Sequence, residues 1–185
     1  LEAAWHWMEQ ARCDEVVCLG DILGFDELYY NFRPDGESCL RLIRENCVAA
    51  VAGNHDLIAV DRIPAFTGGF KYPGHWSTLS PEQRRYIAGN KLWDYHPDER
   101  DRKLSDRSLE FLQSLPAYLN ITRGPFTIFL SHYLFPDPCG TTTRELRYAT
   151  GLWPHLNMMK EMNCSTAMVG HTHYPGLRID RKSVV

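Results

Sequence analysis

The chain has no Cys-x-x-Cys pair, although it contains six cysteines, Cys13, Cys18, Cys39, Cys47, Cys139 and Cys164. Zinc knots and disulfide frameworks depend on paired or patterned spacing, so these cysteines read as small reduced residues of an apolar interior. It also lacks an excess of either charge: 20 Lys and Arg stand against 23 Asp and Glu, a formal net charge of -3. So weak a field does not hold a nucleic acid or an anionic membrane surface, and neither partner is expected. No apolar run approaches the roughly 20 residues needed to cross a bilayer, and no signal peptide opens the sequence; the expected location is the cytoplasm. Internal repeats and low-complexity segments are absent. So is a nucleophile elbow around Ser131, which argues against a serine hydrolase built on Ser131 and His132, two neighbours that a strand points to opposite faces.

What is present is the composition of a globular protein, 44% hydrophobic and 23% charged over 185 residues. That length suits one domain spanning 1-185. Leu1, Ala4, Trp5 and Met8 fall on one face of an opening helix. An apolar burst, DEVVCLGD, is followed by the amphipathic GESCLRLIREN and then by a second burst, CVAAVAGNHD; this alternation of strand and helix predicts parallel β-α-β units and an α/β fold. In LSPEQRRYIAGN, Ser80 is the cap, Pro81 the first helical position, Gln83 the partner in a capping box and Gly89 the C-terminal stop. LSDRSLEFLQSLP repeats the logic with Ser105 and Pro116. The charged stretch WDYHPDERDRK reads as a surface connector. PFTIFLSH and CSTAMVGHTH predict two further strands, with a helix over 144 to 162 that Pro154 kinks or splits. GLRIDRKSVV is a last strand candidate.

Four apolar runs therefore end in polar groups: Asp21, then Asn54, His55 and Asp56, then His132, then His171 and His173. Each alone is more often an ordinary turn or strand cap than a site. In open α/β sheets, however, ligands bind beyond the carboxyl ends of the strands, and these four ends would surround one volume with a carboxylate, an amide oxygen and imidazoles. That donor mix suits Mn²⁺, Fe, Ni²⁺ or Zn²⁺ better than Ca²⁺ or Mg²⁺.

In that order, GDILG, GNHD, SH after a buried strand and GHTH, the motifs resemble those of the calcineurin-like metallophosphoesterases, in particular the compact prokaryotic branch of phosphodiesterases. The resemblance implies a four-layered α/β/β/α sandwich of two mixed sheets. It also implies two divalent transition-metal ions as cofactors, with Asp21 bridging them, Asn54, His132 and His171 completing the second site and His173 serving the first. His55 would be the general acid, held in orientation by Asp56, and a metal-bridging hydroxide would attack a small-molecule phosphoester. The implied reaction is phosphodiester hydrolysis; the alternatives are a phosphomonoesterase or protein phosphatase, or a protein-binding scaffold on the same fold. The family opens with a strand ending in D-x-H, which supplies two ligands of the first metal, and carries an Asn-Pro-Gly-Ser segment beyond the last motif. No such strand opens this sequence and no Asn-Pro-Gly-Ser segment follows GHTH, and the domain is expected to be incomplete at both ends. In KYPGHW, Lys71, His75 and Trp76 offer a substrate contact, but an ordinary surface loop with Trp76 against the core is the stronger expectation. Arg33 and Arg144 are further basic residues open to either reading.

Overall fold

A computed structural model of the protein describes residues 2–24, 35–93, 104–144, 149–173, 176, 179–180 and 183–184. The charged connector, from residue 94 onward, and Arg33 lie outside the described residues. The chain opens with α1 (Glu2–Gln10), whose Trp5 and Met8 are half-buried while Ala4 is exposed and Trp7 stands 71% exposed. β1 (Val17–Cys18), α2 (Gly36–Asn46) and β2 (Ala49–Ala50) then form the expected parallel unit, with Val17 opposite Ala49 and Cys18 opposite Ala50. Asp35 starts α2 by accepting from Ser38 N–H at 3.0 Å, which satisfies one of the donors every helix start leaves free. Leu40 and Ile43, three positions apart, turn the inner face of α2 into a core shared with Ile22, Ala52, Leu57, Leu112 and Leu115.

The short α3 (Asn54–Ala59) begins directly after β2, with Gly53 as its cap. After a single 3-10 turn at Trp76–Thr78, α4 (Pro81–Ala88) has the capping box foreseen: Ser80 Oγ accepts from Gln83 N–H, and Gln83 accepts from Ser80 N–H. α5 (Asp106–Ser114) is capped by Ser105 and stops before Pro116, whose carbonyl accepts from Ala52 N–H at 2.8 Å and so links the segment after α5 to the first sheet.

The second sheet has five strands in the order β3-β4-β5-β7-β6. β3 (Tyr118–Arg123) pairs antiparallel with β4 (Phe126–Ser131); β4 runs parallel to β5 (Thr166–Met168) through the crossover helix α6 (Trp153–Glu161). β6 (Ile179–Asp180) and β7 (Ser183–Val184) close the edge. Phe129, Phe135, Met159, Cys164 and Ala167 form the core between this sheet and α6.

Three details differ from the sequence reading. β3 was not expected. The last strand candidate is an antiparallel pair rather than one strand. Among the cysteines, Cys139 and Cys164 are buried as expected, but Cys13 is exposed. Near Pro154 the helical stretch divides as expected, a 3-10 segment at Ala149–Leu152 giving way to α6, whose first turn holds Pro154 where a missing N–H costs nothing; residues 145 to 148 lie outside the described residues. The two-sheet α/β architecture is the expected one.

Candidate metal centre

The four motif-bearing strand ends meet. Gly20 and Asp21 follow β1, Gly53 and Asn54 follow β2, His132 follows β4, and Gly170 and His171 follow β5. Gly170 N–H donates to the His132 carbonyl at 2.9 Å, which sets the last two ends side by side. The first two are fastened by Asp56. Its fully buried carboxylate accepts from Ile22 N–H at 2.9 Å, Leu23 N–H at 3.3 Å and Gly53 N–H at 2.9 Å. His55 N–H, one of the free donors of the first turn of α3, donates to Asp21 Oδ1 at 3.1 Å. Gly53 lies so close to Asp21 that a methyl group on it would overlap Oδ1, and the His55 imidazole lies directly over Gly24. Those contacts explain why both motifs carry glycine. Asp21, His171 and His173 all adopt left-handed backbone, φ 52°, 71° and 56°. That conformation costs a non-glycine residue about 1–2 kcal/mol and clusters at functional sites.

At the centre stands His132, buried, with Nδ1 2.7 Å from the Leu19 carbonyl. A carbonyl only accepts, so Nδ1 carries the proton, and the neutral ring presents a lone pair at Nε2. Around Nε2, each at 3.1 Å, are Asp21 Oδ2, Asn54 Oδ1 and His171 Nδ1. A cation would draw on all four groups at once, with the His171 ring in the tautomer that leaves Nδ1 unprotonated. Asp21, His132 and His171 each offer a donor atom within 4.8 Å of the others, as a shared ion requires. A ligating histidine also characteristically donates its second ring N–H to a backbone carbonyl, as His132 does. The residues fit a divalent ion with mixed nitrogen and oxygen ligands.

Without a cation, the charges favour the ligand state at Asp21 and His171, while Asp21 draws a proton to His132. Burial alone would raise the Asp21 carboxyl, but the hydrogen bond and charge of His132, with His55 beyond, hold it below the ordinary carboxylate range. Burial would depress His132, and Asp21 outweighs it to raise the imidazole. His171 is pushed down to about 4 by burial and by the neighbouring His132, so its ring stays neutral and able to ligate. Asp56 is raised to about 6 by burial, against the pull of its three backbone donors.

Of the residues singled out in the sequence, Asp21, Asn54, His132 and His171 come together; His55 and Asp56 adjoin them. His173 is exposed and lies outside the group formed by Asp21, His132 and His171. Ser131 is fully buried and donates its hydroxyl to the Tyr133 carbonyl at 2.7 Å, which removes it as a nucleophile. Trp76 is half-buried in an edge-to-face cluster with Phe70 and Tyr72, as the ordinary-loop reading expects, while Lys71, His75 and Arg144 are exposed. Sequence reasoning missed the Leu19 carbonyl and the rings flanking His171. These are Tyr133, with centroids 4.6 Å apart, and Trp93, at 5.9 Å and 44% exposed. A backbone carbonyl leaves no mark in a sequence, and nothing in the spacing linked either ring to His171.

The family model for the calcineurin-like phosphoesterase superfamily domain matches residues 1–185. Among solved structures, a metallophosphoesterase from Sphaerobacter thermophilus is similar with a TM-score of 0.54 and 22% identity over 95% of this chain. A hypothetical protein from Pyrococcus horikoshii is similar with a TM-score of 0.58 and 15% identity over 99% of this chain. At these identities the likeness is one of fold. The chain spans 57% of the Sphaerobacter chain and 68% of the Pyrococcus one.

Proposed function

Since the chain belongs to the calcineurin-like phosphoesterase superfamily, we propose that it is a metal-dependent phosphoesterase that hydrolyses small-molecule phosphodiesters. The observation that carries this reading is the approach of Asp21 Oδ2, Asn54 Oδ1 and His171 Nδ1 to His132 Nε2, each at 3.1 Å. Asp21, Asn54, His132 and His171 would hold one divalent ion, and Asp21 with His173 would contribute to a second. Mn²⁺, Fe, Ni²⁺ and Zn²⁺ suit these donors. When bound, such ions neutralise phosphoryl charge and acidify a water enough for it to attack at neutral pH.

The chain's own groups supply the remainder. His55 is not needed as a ligand and would give a proton to the departing ester oxygen. Its backbone bond to Asp21 and its seat over Gly24 support that placement beside the reacting phosphate. Asp56 acts through the backbone, keeping the His55 turn against the Asp21 turn. The six cysteines, none in a disulfide, fit a reducing compartment such as the cytoplasm.

With Mn²⁺ supplied, bis(p-nitrophenyl) phosphate should turn over faster than p-nitrophenyl phosphate. The reverse order would make the protein a phosphomonoesterase, and metal binding without any turnover would favour a protein-binding scaffold. His55→Ala should slow alkyl diesters by about 10²–10⁴ and nitrophenyl diesters far less, because a nitrophenolate leaves without a proton. Equal losses on both would remove His55 from the acid role.

A further inference from the structure

Outside the centre itself, another carboxylate is deeply buried and fully engaged. Asp137 is 1% exposed. Its Oδ1 accepts from Thr141 N–H at 3.1 Å and Thr141 Oγ1 at 3.0 Å; its Oδ2 accepts from Thr142 N–H at 2.7 Å and Thr142 Oγ1 at 2.8 Å. Four donors on one buried carboxylate close residues 133 to 143 into a tight loop. Asp137 N–H donates to the Leu134 carbonyl at 3.0 Å, Gly140 N–H to the Asp137 carbonyl at 2.9 Å, and Tyr133 N–H to the Pro138 carbonyl at 2.7 Å. Thr141, Thr142 and Thr143 then fasten the loop to residues 91–93 through Trp93 N–H to the Thr141 carbonyl, Thr143 N–H to the Lys91 carbonyl and the bridge of Leu92 with Thr142.

Two points of that loop bear on His171. Gly140, at φ 68°, lies so near the imidazole that a methyl group there would stand 2.7 Å from Nδ1 and 2.8 Å from Cε1. Tyr133 meets the same ring with centroids 4.6 Å apart. Trp93, held by the loop, touches it at 5.9 Å. A histidine side chain has two torsions, and these contacts leave its ring with Nδ1 toward His132 Nε2.

We propose that Asp137 is a positioning residue for His171: by drawing Thr141 and Thr142 onto its carboxylate it presses Gly140 against the imidazole and aims Nδ1 into the centre. The inference rests on the reading of His171 as a metal ligand. A loop that served stability alone would have no reason to be shaped to a ligand's ring at Gly140, Tyr133 and Trp93 together.

The test is the equilibrium affinity of the whole chain for Mn²⁺, measured by calorimetric titration, beside the thermal midpoint without metal. Asp137→Asn should weaken Mn²⁺ binding about 10- to 100-fold, the range set by losing a group that orients a ligand. Thr142→Val, which removes one hydroxyl donor at nearly constant shape, should produce a smaller loss in the same direction and serves if Asp137→Asn does not fold. The discriminating readout is the pair with His171→Ala: in that background, Asp137→Asn or Thr142→Val should cause no further loss of affinity, because residues acting through one another are not additive. A lowered midpoint with unchanged Mn²⁺ affinity, or losses that add fully to those of His171→Ala, would overturn the proposal. Absence of Mn²⁺ binding by the unaltered chain would instead sink the metal reading on which it stands.

Discussion

His132 donates its Nδ1–H to Leu19, and that bond decides which ring nitrogen faces Asp21, Asn54 and His171. The same economy governs Gly53, whose missing side chain lets Asp21 approach until its Oδ1 meets His55 N–H. Gly53→Ala should therefore act on both stability and site. Unfolding in urea should show a loss of about 1–3 kcal/mol, typical of a forced group in a packed position, and Mn²⁺ affinity should fall at least tenfold. An alanine variant with unchanged affinity would contradict the close contact. At this scale much was legible in the sequence, because carboxylate, amide and imidazole groups are poor candidates for burial and yet end apolar strands. The orientation of each ring was not, since it depends on backbone atoms such as the Leu19 carbonyl and on gaps such as Gly53, which have no side chain to read. His173, which the resemblance assigns to the other metal, stands exposed outside the group of Asp21, His132 and His171.

At the scale of elements, the β-α-β units were legible because buried parallel strands are continuous apolar runs and the helices between them have caps. β3 was missed although Leu119, Asn120, Ile121 and Thr122 alternate as a half-buried strand does; the alternation covers only four residues and follows shortly after the end of α5. GNHD was legible as a site, but the helix starting at Asn54 was not, since six residues carry too little periodicity. α6 brings a separate consequence. His155 is fully buried, accepts from Phe135 N–H at 3.2 Å through Nδ1 and meets the Phe129 ring edge-on at 5.3 Å. Burial pushes its imidazole down to about 4. Between that value and the unfolded value near 6.5, the unfolded chain binds a proton that the folded one does not, so stability falls as pH falls through this window. By pH 5 the loss from this group is about 2 kcal/mol. Asp56, raised to about 6, works in the opposite sense: it gains stability as pH falls below about 6 toward the ordinary carboxylate value. Comparison with His155→Gln, which keeps an acceptor for Phe135, isolates the histidine. Urea unfolding at pH 7 and pH 5 should show the variant losing less on acidification than the unaltered chain. Equal losses would mean that His155 is not held neutral by its surroundings.

For the whole molecule, the two sheets matter because their strand ends share one space. The first sheet supplies Asp21 and Asn54, and the second supplies His132 and His171; the bond from His132 to the Leu19 carbonyl joins them. A nearly balanced charge of -3 leaves the concentrated cluster at the centre as the place where an anionic ester would be recognised. Among the described residues no helix is long and apolar enough to cross a membrane. The fold class was legible from the order of elements along the chain, whereas the pairing of β5 with β7 was not, since it joins segments whose polarity pattern fits either edge of a sheet. The most direct measurement is anomalous diffraction at the manganese edge from crystals grown with Mn²⁺. The account predicts a peak bounded by Asp21, Asn54, His132 Nε2 and His171 Nδ1; a map with no peak among those four atoms, at saturating Mn²⁺, would contradict it.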